Sequence, residues 1–330
     1  MSYIPRSGAE ALMPEEYQRE IVESLPEMSS IMNLAYKAPN MSRAQRRIPV
    51  LSVLPTAYFT NPGPGDVGDV GFKRTTQVLW KNKYLEAEEL NVIVAIPEAV
   101  FDDSDYDIWN EIKPKLLEAY GLAFDQAVYY GINAPASWPT NLLAQCTSTG
   151  NFVTLGSGID IYDDILGEGG MIAKVEEDGF MINGYVGDMT MRSKLRALRD
   201  SDKNPIFKPL AKDGMQGKTV YMLDGEQIVF PRNGSMLSDR SLMFAGDWSK
   251  LIYAMRKDIT WKLLDQAVIQ DPVTGDITYN LAQQNMIGLR SCMRIAWQVP
   301  NPTNRLNPND SSGNDSATRF PFSVLAPAGS

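Results

Sequence analysis

Histidine is absent from this chain of 330 residues. Its absence excludes the Ser-His-Asp and Cys-His catalytic arrangements and every histidine metal ligand. Carboxylates and lysines remain as possible catalytic groups, but a large share of hydrolase and metalloenzyme chemistry is removed. The sequence therefore favours a protein that is not an enzyme and that needs neither a cofactor nor a metal.

Cysteine and long apolar runs are scarce as well. Cys146 and Cys292 are the two cysteines of the chain, and neither lies in a C-x-x-C pair, so we expect reduced, buried thiols. No apolar run reaches the ~18–20 residues of a membrane span. The opening sequence MSYIPRSGAEALMPEEY has no signal-peptide core. These features predict a chain made and kept in the cytoplasm, away from membranes.

Positive charge is also in short supply. The chain has 31 Lys and Arg against 40 Asp and Glu, for a net charge of −9. Such a balance argues against nucleic-acid binding over the whole surface. The densest basic cluster consists of Arg43, Arg46 and Arg47. Whether these three arginines face DNA, another protein or a neighbouring copy stays open from the sequence.

A glycine-rich stretch, NPGPGDVGDVGFKR at 61–74, has Gly63, Gly65 and Gly68 in the G-x-G-x-x-G spacing of a dinucleotide-binding turn. That turn requires a helix directly after the glycines, whereas FKRTTQVLW has the composition of a strand. We therefore interpret the stretch as the tip of a β ribbon formed by 47–60 and 72–96. The predicted tip residues are Gly63, Gly65, Asp66, Gly68, Asp69 and Gly71.

The first fifty residues have the pattern of an arm rather than of a domain. Residues 14–25 predict a short amphipathic helix with Tyr17, Ile21 and Leu25 on one face, and 29–37 predict a second helical piece. Short helices of this kind bury little surface alone, so we expect them to pack on another surface.

A long amphipathic helix is predicted over 102–131. Its apolar residues recur every three or four positions and end at Gly131, while Pro114 predicts a kink or a late start. The acids of DDSDYD, at 102–107, precede this helix. They resemble the start of a calcium loop, but Ile108 and Pro114 stand where that loop needs glycine and glutamate, so we assign them to helix capping.

The rest of the chain predicts a mixture of helices and strands. Helices are expected near 159–166 and 189–200, and a strand near 179–184. A hairpin turning at Asp224-Gly225 follows. Strands are expected within 241–269, with a turn at Gly246-Asp247, within 280–299, and in the final FPFSVLAPA.

This order of elements resembles the major capsid proteins of tailed bacteriophages, the Hong Kong 97 fold family. The local sequences that support the resemblance are IPEAVFDDS at 96–104, YYG at 129–131 and FAGDWS at 244–249. The resemblance covers the chain from about residue 14 and rests on the ordered series rather than on one motif.

The resemblance implies an α+β fold with discontinuous domains. The N-terminal arm would be 1–50 and the extended β loop 51–88. The peripheral domain would be 89–145 plus 258–300, with a spine helix at about 105–131, and the axial domain would be 146–257 plus 301–330. Expected contacts to neighbouring copies are the loop tip and, on the arm, Tyr17, Ile21, Leu25, Arg43, Arg46 and Arg47.

The function implied by the resemblance is assembly. Copies would form pentamers and hexamers of an icosahedral shell, the capsid of a virion, which encloses double-stranded DNA without reading its sequence. Assembly would occur in the host bacterial cytoplasm. A separate scaffolding protein, a portal and a possible decoration protein would be the partners, and no membrane would be involved.

Some members of this family crosslink neighbouring subunits through a loop-tip lysine, an asparagine and a catalytic glutamate. Here Lys73 lies past the tip, and although Asn285 could match the asparagine, the stretch MIGLRSCMRIAW after it contains no glutamate. We therefore predict no crosslinking. Two alternatives remain open: an encapsulin-like nanocompartment shell protein, which shares the fold, and a histidine-free carboxylate hydrolase. The long arm favours the phage capsid.

Overall fold

The computed structural model describes residues 29–57, 75–102, 108–199, 207, 221–271, 274–306 and 319–328. The chain forms both α-helices and β-strands in these ranges, and none of the helices in them is long and apolar enough to cross a membrane. The helices are α1 Ser30–Leu34, α2 Glu98–Asp102, α3 Ile108–Tyr130, α4 Leu142–Thr149, α5 Ile161–Leu166, α6 Met171–Glu177 and α7 Met189–Ala197. The strands are β1 Tyr36–Lys37, β2 Gln45–Val53, β3 Leu79–Glu86, β4 Glu88–Pro97, β5 Phe152–Thr154, β6 Gly184–Gly187, β7 Tyr221–Leu223, β8 Glu226–Val229, β9 Met243–Gly246, β10 Ile252–Leu264, β11 Val268–Gln270, β12 Ile277–Asn280, β13 Met286–Gln298 and β14 Phe322–Ala326.

Helix α3 and a four-stranded sheet form one half of the structure. The strand order is β1-β10-β13-β4, with β1 parallel to β10 and the other pairs antiparallel. The predicted apolar stripe of α3 is buried against this sheet, as Phe124 packs near Trp138 and Tyr253. Gly131 ends the helix as predicted, with a φ of +72° that favours glycine.

A six-stranded sheet forms the other half, in the order β5-β14-β9-β6-β8-β7. Side chains alternate between its two faces. Tyr185 and Met243 join the core beneath α5, α6 and α7, whereas Val186 and Phe244 join the core shared with α3. The central strands approach closely: a Cβ on Gly246 would lie 2.5 Å from the carbonyl oxygen of Pro321. This position of β9 therefore requires glycine.

Two small two-stranded sheets complete the described structure. Strands β2 and β3 pair antiparallel, as do β11 and β12. We call the first pair the β2–β3 ribbon and the second the β11–β12 hairpin. The sequence left open whether 72–96 forms one strand or two. Its described residues form two strands, separated at Ala87. Strand β3 belongs to the ribbon and strand β4 to the four-stranded sheet.

Several local predictions are confirmed and others need correction. The turn at Asp224-Gly225 is present. At Gly246-Asp247, strand β9 ends and a short 3-10 helix, Trp248–Lys250, leads into β10. The strand predicted over 179–184 is wrong: Gly179 adopts a φ of +80° in a turn, and the strand starts at Gly184. Only the first part of the helix predicted over 29–37 forms, since Tyr36 and Lys37 pair with β10 as a strand.

Candidate assembly surfaces

The described structure begins at a short helix that is fixed to the middle of α3. The side chain of Asp125 is fully buried, and its carboxylate accepts hydrogen bonds from the main-chain N–H and the hydroxyl of Ser30, both at 2.8 Å. The Ser29 hydroxyl donates to the same carboxylate and accepts from the N–H of Met32 at 3.0 Å, which caps α1. We call Ser29, Ser30, Asp125 and Tyr129 the serine–aspartate clamp.

The electrostatics of this clamp follow from its burial. Burial raises the pKa of Asp125, and the serine hydroxyls and main-chain N–H groups only partly oppose that shift. The Tyr129 hydroxyl lies 2.9 Å from the Ser30 hydroxyl, and burial, together with the nearby Asp125 charge, raises the pKa of Tyr129. A carboxylate saturated by donors in this way serves to hold α1 in place.

After α1 the chain follows the edge of the four-stranded sheet. The N–H groups of Ala38 and Met41 donate to the carbonyl oxygens of Tyr253 and Met255, each at 2.8 Å. These bonds extend the β1–β10 pairing past the end of β1. The segment that leads from the clamp to the ribbon is therefore hydrogen-bonded to the body of the same chain.

Arg46 is committed within its own chain, unlike the other two arginines of the basic cluster. Its two terminal nitrogens donate to the carbonyl oxygens of Pro39 and Asn40, each at 2.8 Å. Arg43 and Arg47 are exposed. The cluster predicted from sequence therefore divides into one intramolecular brace and two exposed cations.

The β2–β3 ribbon has an inner and an outer face. Opposite residues of an antiparallel pair share a face. Leu85 lies on the inner face, fully buried in a cluster with Ala254 and Ala296. Trp80 and Tyr84 lie on the outer face, 65% and 43% exposed.

The ribbon is bonded to the body at both of its described ends and through both strands. On β3, the carbonyl of Tyr84 accepts from Gln298 at 3.0 Å and that of Glu86 from the Trp138 indole at 3.1 Å. On β2, the carbonyl of Leu51 accepts from a main-chain N–H at 3.2 Å. The outer face is thus held in a fixed position while its aromatic rings stay exposed.

The charge of the ribbon differs from that of the chain. Its two strands carry four cations and one carboxylate in a protein whose net charge is −9. The cations are Arg46, Arg47, Lys81 and Lys83, and the carboxylate is Glu86. The strand register places Arg47 opposite Tyr84 on the outer face, which also carries Glu86. Arg46, Lys81 and Lys83 alternate onto the inner face with Leu85. The outer face is therefore aromatic, with one cation and one carboxylate beside its rings.

A second exposed apolar surface lies at the far end of the four-stranded sheet. The β11–β12 hairpin and the end of β10 together expose Leu263, Val268, Ile277 and Tyr279, each by 42% or more. The register pairs Val268 with Asn280 and Ile269 with Tyr279, so the exposed Val268 and Tyr279 lie on opposite faces of the hairpin.

The described part of the chain contains no group of three or more His, Cys, Asp or Glu side chains that could hold a metal ion. Cys146 and Cys292 are both buried and free, as predicted. Burial raises the pKa of the Cys146 thiol well above its usual range, so this cysteine is a poor nucleophile. The described residues instead expose large apolar side chains, among them Trp80 on the ribbon and Ile277 on the β11–β12 hairpin.

Comparison with known proteins identifies the family. A model of the phage capsid family matches residues 9–304, and the chain belongs to this family. The major capsid protein of Staphylococcus phage 80alpha is 26% identical over 286 residues, which are 86% of this chain and 80% of that protein.

Solved structures are similar over the whole chain. One from Microbacterium phage Oxtober96 has a TM-score of 0.78 and 31% identity, over 99% of this chain and 100% of that one. One from Mycobacterium phage Adephagia has a TM-score of 0.78 and 27% identity, over 100% of this chain and 99% of that one. The α+β Hong Kong 97-like fold expected from the sequence is confirmed.

The structure places only part of the predicted contact residues. Of these, Arg43, Arg46 and Arg47 are described, and Arg46 faces its own chain. The others lie outside the described residues, namely Tyr17, Ile21, Leu25, Gly63, Gly65, Asp66, Gly68, Asp69 and Gly71. Sequence reasoning missed Asp125, although a carboxylate between Phe124 and Ala127 in a buried stripe is a usable signal. It also missed the exposure of Trp80 and Tyr84.

Proposed function

We propose that this chain is the major capsid protein of a tailed bacteriophage. In this proposal, copies assemble as pentamers and hexamers into an icosahedral shell that encloses double-stranded DNA. Membership of the phage capsid family supports the proposal. The observation that carries it further is the outer face of the β2–β3 ribbon, which is rigidly held and yet exposes Trp80 and Tyr84 in the single chain.

The driving force would be burial of such faces on neighbouring copies. Apolar area removed from water contributes ~25 cal/mol per Å², less the cost of ordering. Each contact can be weak, because closure of a shell lets many contacts act together. The outer face of the ribbon would lie on the next copy, and Arg47, which lies opposite Tyr84 on that face, would take part in the contact.

The arm and the ribbon tip are the remaining proposed contacts. Tyr17, Ile21 and Leu25 would pack on a neighbour through one helical face. The tip glycines would let one sequence fit non-equivalent neighbours, since glycine adopts many backbone conformations. Replacement of Gly63, Gly65 and Gly68 by alanine is expected to impair assembly and to leave subunit folding intact. Failure of the triple variant to fold would contradict a peripheral tip.

The domain division is also a proposal, and the strands suggest two adjustments. Strand β2 starts at Gln45, so the extended loop is better begun there than at residue 51. Strand β10 pairs within the four-stranded sheet from Ile252 onward. A boundary at 257/258 would cut this strand, so we propose that the second peripheral segment begins at Ile252.

We propose no catalytic chemistry, and specifically no covalent crosslinking. Asn285 lies in a turn with a φ of +47°, where its main-chain carbonyl accepts from the N–H of Glu98 at 2.9 Å. We further propose assembly in the host cytoplasm, a separate scaffolding protein, a portal and a possible decoration protein. DNA would be enclosed without sequence-specific contacts, which suits an acidic chain.

Electron microscopy of the purified, full-length protein tests the proposal. We expect closed shells, alone or after co-expression with the scaffolding protein from the same genome. Monomers or small oligomers under every assembly condition would overturn it. Denaturing gel electrophoresis of the shells is expected to show a single band, and ladders of covalent multimers would contradict the absence of crosslinking.

A further inference from the structure

The six-stranded sheet has charge of opposite sign at its two edges. Strand β5 is one edge and β7 the other, and α5, α6 and α7 cover the same face between them. Helix α5 follows β5 directly, while α7 reaches β7, where Arg192 contacts the hydroxyl of Tyr221. We call these the β5 edge and the β7 edge.

The β5 edge is acidic. Asp160 caps α5 and is exposed, Asp163 is half-buried, and Glu168 is exposed in the loop between α5 and α6. Glu177 is exposed at the end of α6, one helical turn after Lys174. The Lys174 ammonium group donates to the carbonyl oxygen of Gly150, just before β5, at a distance of 2.9 Å. Asp160 and Asp163 therefore lie on the segment that follows β5 directly, and Glu168 and Glu177 lie on the next loop and on α6, which packs on the neighbouring strand β14.

The β5 edge also presents an apolar side chain on a braced loop. Ile159 is 97% exposed. The Asp164 carboxylate accepts from the N–H groups of Gly156 and Gly158, both at 2.7 Å, and from the Ser157 hydroxyl at 2.9 Å. The loop that carries Ile159 is thus held in one shape, as expected of a preorganised contact.

The β7 edge is basic along α7. Near its C-terminal end, Arg196 is exposed and Lys194 is half-buried. Arg199 is exposed two residues after the helix, where its guanidinium donates to the carbonyl oxygens of Arg196 and Leu198. The β7–β8 turn adds the carboxylates of Asp224 and Glu226, so the basic surface is confined to the helix and the residues just after it. Within the described ranges, none of the cations of α7 pairs with a carboxylate, since the ion pairs there join Arg294 to Glu89 and Lys250 to Asp247.

The acidic β5 edge and the basic α7 surface differ from each other, are complementary in charge and lie at opposite edges of one sheet. Such a pair suits a head-to-tail contact between copies, and repeated head-to-tail contacts form a ring where the rotation between copies closes. We propose that the basic α7 surface of each copy docks on the acidic β5 edge of the next copy, around the axis of a pentamer or hexamer. Ile159 supplies the apolar part of this contact. The inference rests on the proposed shell function and names the partner of the axial surface: a second copy of this chain.

Charge reversal tests the contact one edge at a time. Variant A, Arg196→Glu with Arg199→Glu, has two acidic edges. Variant B, Glu168→Lys with Glu177→Lys, has two basic edges. Because like charges opposite each other oppose docking, each alone is expected to reduce particle yield by about tenfold or more. The matched control Arg196→Lys with Arg199→Lys keeps the charge and is expected to assemble like the wild type.

Co-expression of A with B gives the sharper result. The two variants attract only when they alternate around a ring, and alternation closes with six copies but not with five. We therefore expect hexamers, open sheets or tubes, without closed icosahedra. A single chain carrying all four reversals restores opposite charges in every ring and is expected to form closed shells again.

Electron microscopy and particle sedimentation measure assembly for each variant and mixture. Circular dichroism of the dissociated subunit checks folding. Recovery on mixing also excludes misfolding, because a misfolded chain gains nothing from a partner. If A and B each assemble like the wild type, or if neither mixing nor the fourfold swap restores assembly, the edge contact is overturned. If the wild type forms no shells, the proposed function itself fails, which is a separate outcome.

Discussion

The carboxylate of Asp125 accepts a hydrogen bond from the main-chain N–H of Ser30 at 2.8 Å, which ties the start of the described chain to the centre of α3. Serine hydroxyls and main-chain N–H groups are the donors to this carboxylate, and they only partly offset the burial that raises its pKa. The contact joins residues 95 positions apart in the sequence, so it fixes the start of α1 on α3.

Removal of this carboxylate should destabilise the subunit. Asp125→Ala leaves two hydroxyls and two N–H groups without their acceptor, and we expect the free energy of unfolding to fall by about 3 kcal/mol. Urea unfolding of the unassembled subunit measures the change. Asp125→Asn is the matched control: it keeps one acceptor oxygen and is expected to lose less. Equal stability of Asp125→Ala and the wild type would contradict the clamp.

Two buried aspartates should respond to pH with opposite sign. The folded-state pKa of Asp125 is raised, chiefly by burial, so its contribution is fully present below its ordinary value of 3.8 and is lost as pH rises through the folded pKa. For Asp164, burial raises the pKa but hydrogen bonds from Gly156, Gly158 and Ser157 outweigh it. The folded pKa is therefore lowered, and the contribution is present above 3.8 and lost as pH falls through the folded value.

Denaturation of Asp125→Asn and Asp164→Asn across pH 3 to 7 measures this difference. The stability gap between the wild type and Asp164→Asn should narrow towards acid, and the gap for Asp125→Asn should narrow as pH rises. Parallel pH profiles for the two variants would show that one of the two environments is wrongly described.

Some of this structure follows from local sequence and some does not. The stripe of α3 and the turn at Asp224-Gly225 were predictable, because helix period and turn chemistry act between near neighbours. The pairing of Tyr36 with Ile252 was not, since strands so far apart leave no local signal of their register. The two faces of the ribbon alternate in the sequence, but only the packed Ala254 and Ala296 show which face is covered.

The candidate surfaces could likewise be predicted from the sequence only in part. Arg43, Arg46 and Arg47 form one cluster in the sequence, and the residue type alone could not show that Arg46 braces carbonyl oxygens of its own chain. Asp125 lies in an apolar stripe and could have been singled out. Its serine partners could not, since they belong to a segment whose path over α3 is set by tertiary packing.

Arg46 and Arg47 give a matched pair of predictions. Arg46→Ala removes two charge-assisted hydrogen bonds to Pro39 and Asn40. Because the side chain is only half-buried, we expect a loss of about 1 kcal/mol in the free energy of unfolding. Arg47→Ala should leave the subunit within about 0.5 kcal/mol of the wild type and should reduce shell yield. The opposite pattern, with Arg47 needed for folding and Arg46 only for assembly, would contradict the assignment.

The two faces of the ribbon predict opposite phenotypes for two large-to-small substitutions on one strand. Leu85→Ala, on the inner face, empties a fully buried site and should lower the free energy of unfolding by about 2–5 kcal/mol. Trp80→Ser, on the outer face, removes a ring that is 65% exposed, so the subunit should unfold within about 0.5 kcal/mol of the wild type. Shell yield should nevertheless collapse, because the exposed ring is the part of the ribbon that a neighbouring copy can bury.

Unfolding curves of dissociated subunits and particle counts by electron microscopy separate the effect on folding from the effect on assembly. Normal shells from Trp80→Ser would show that the outer face is not an assembly surface.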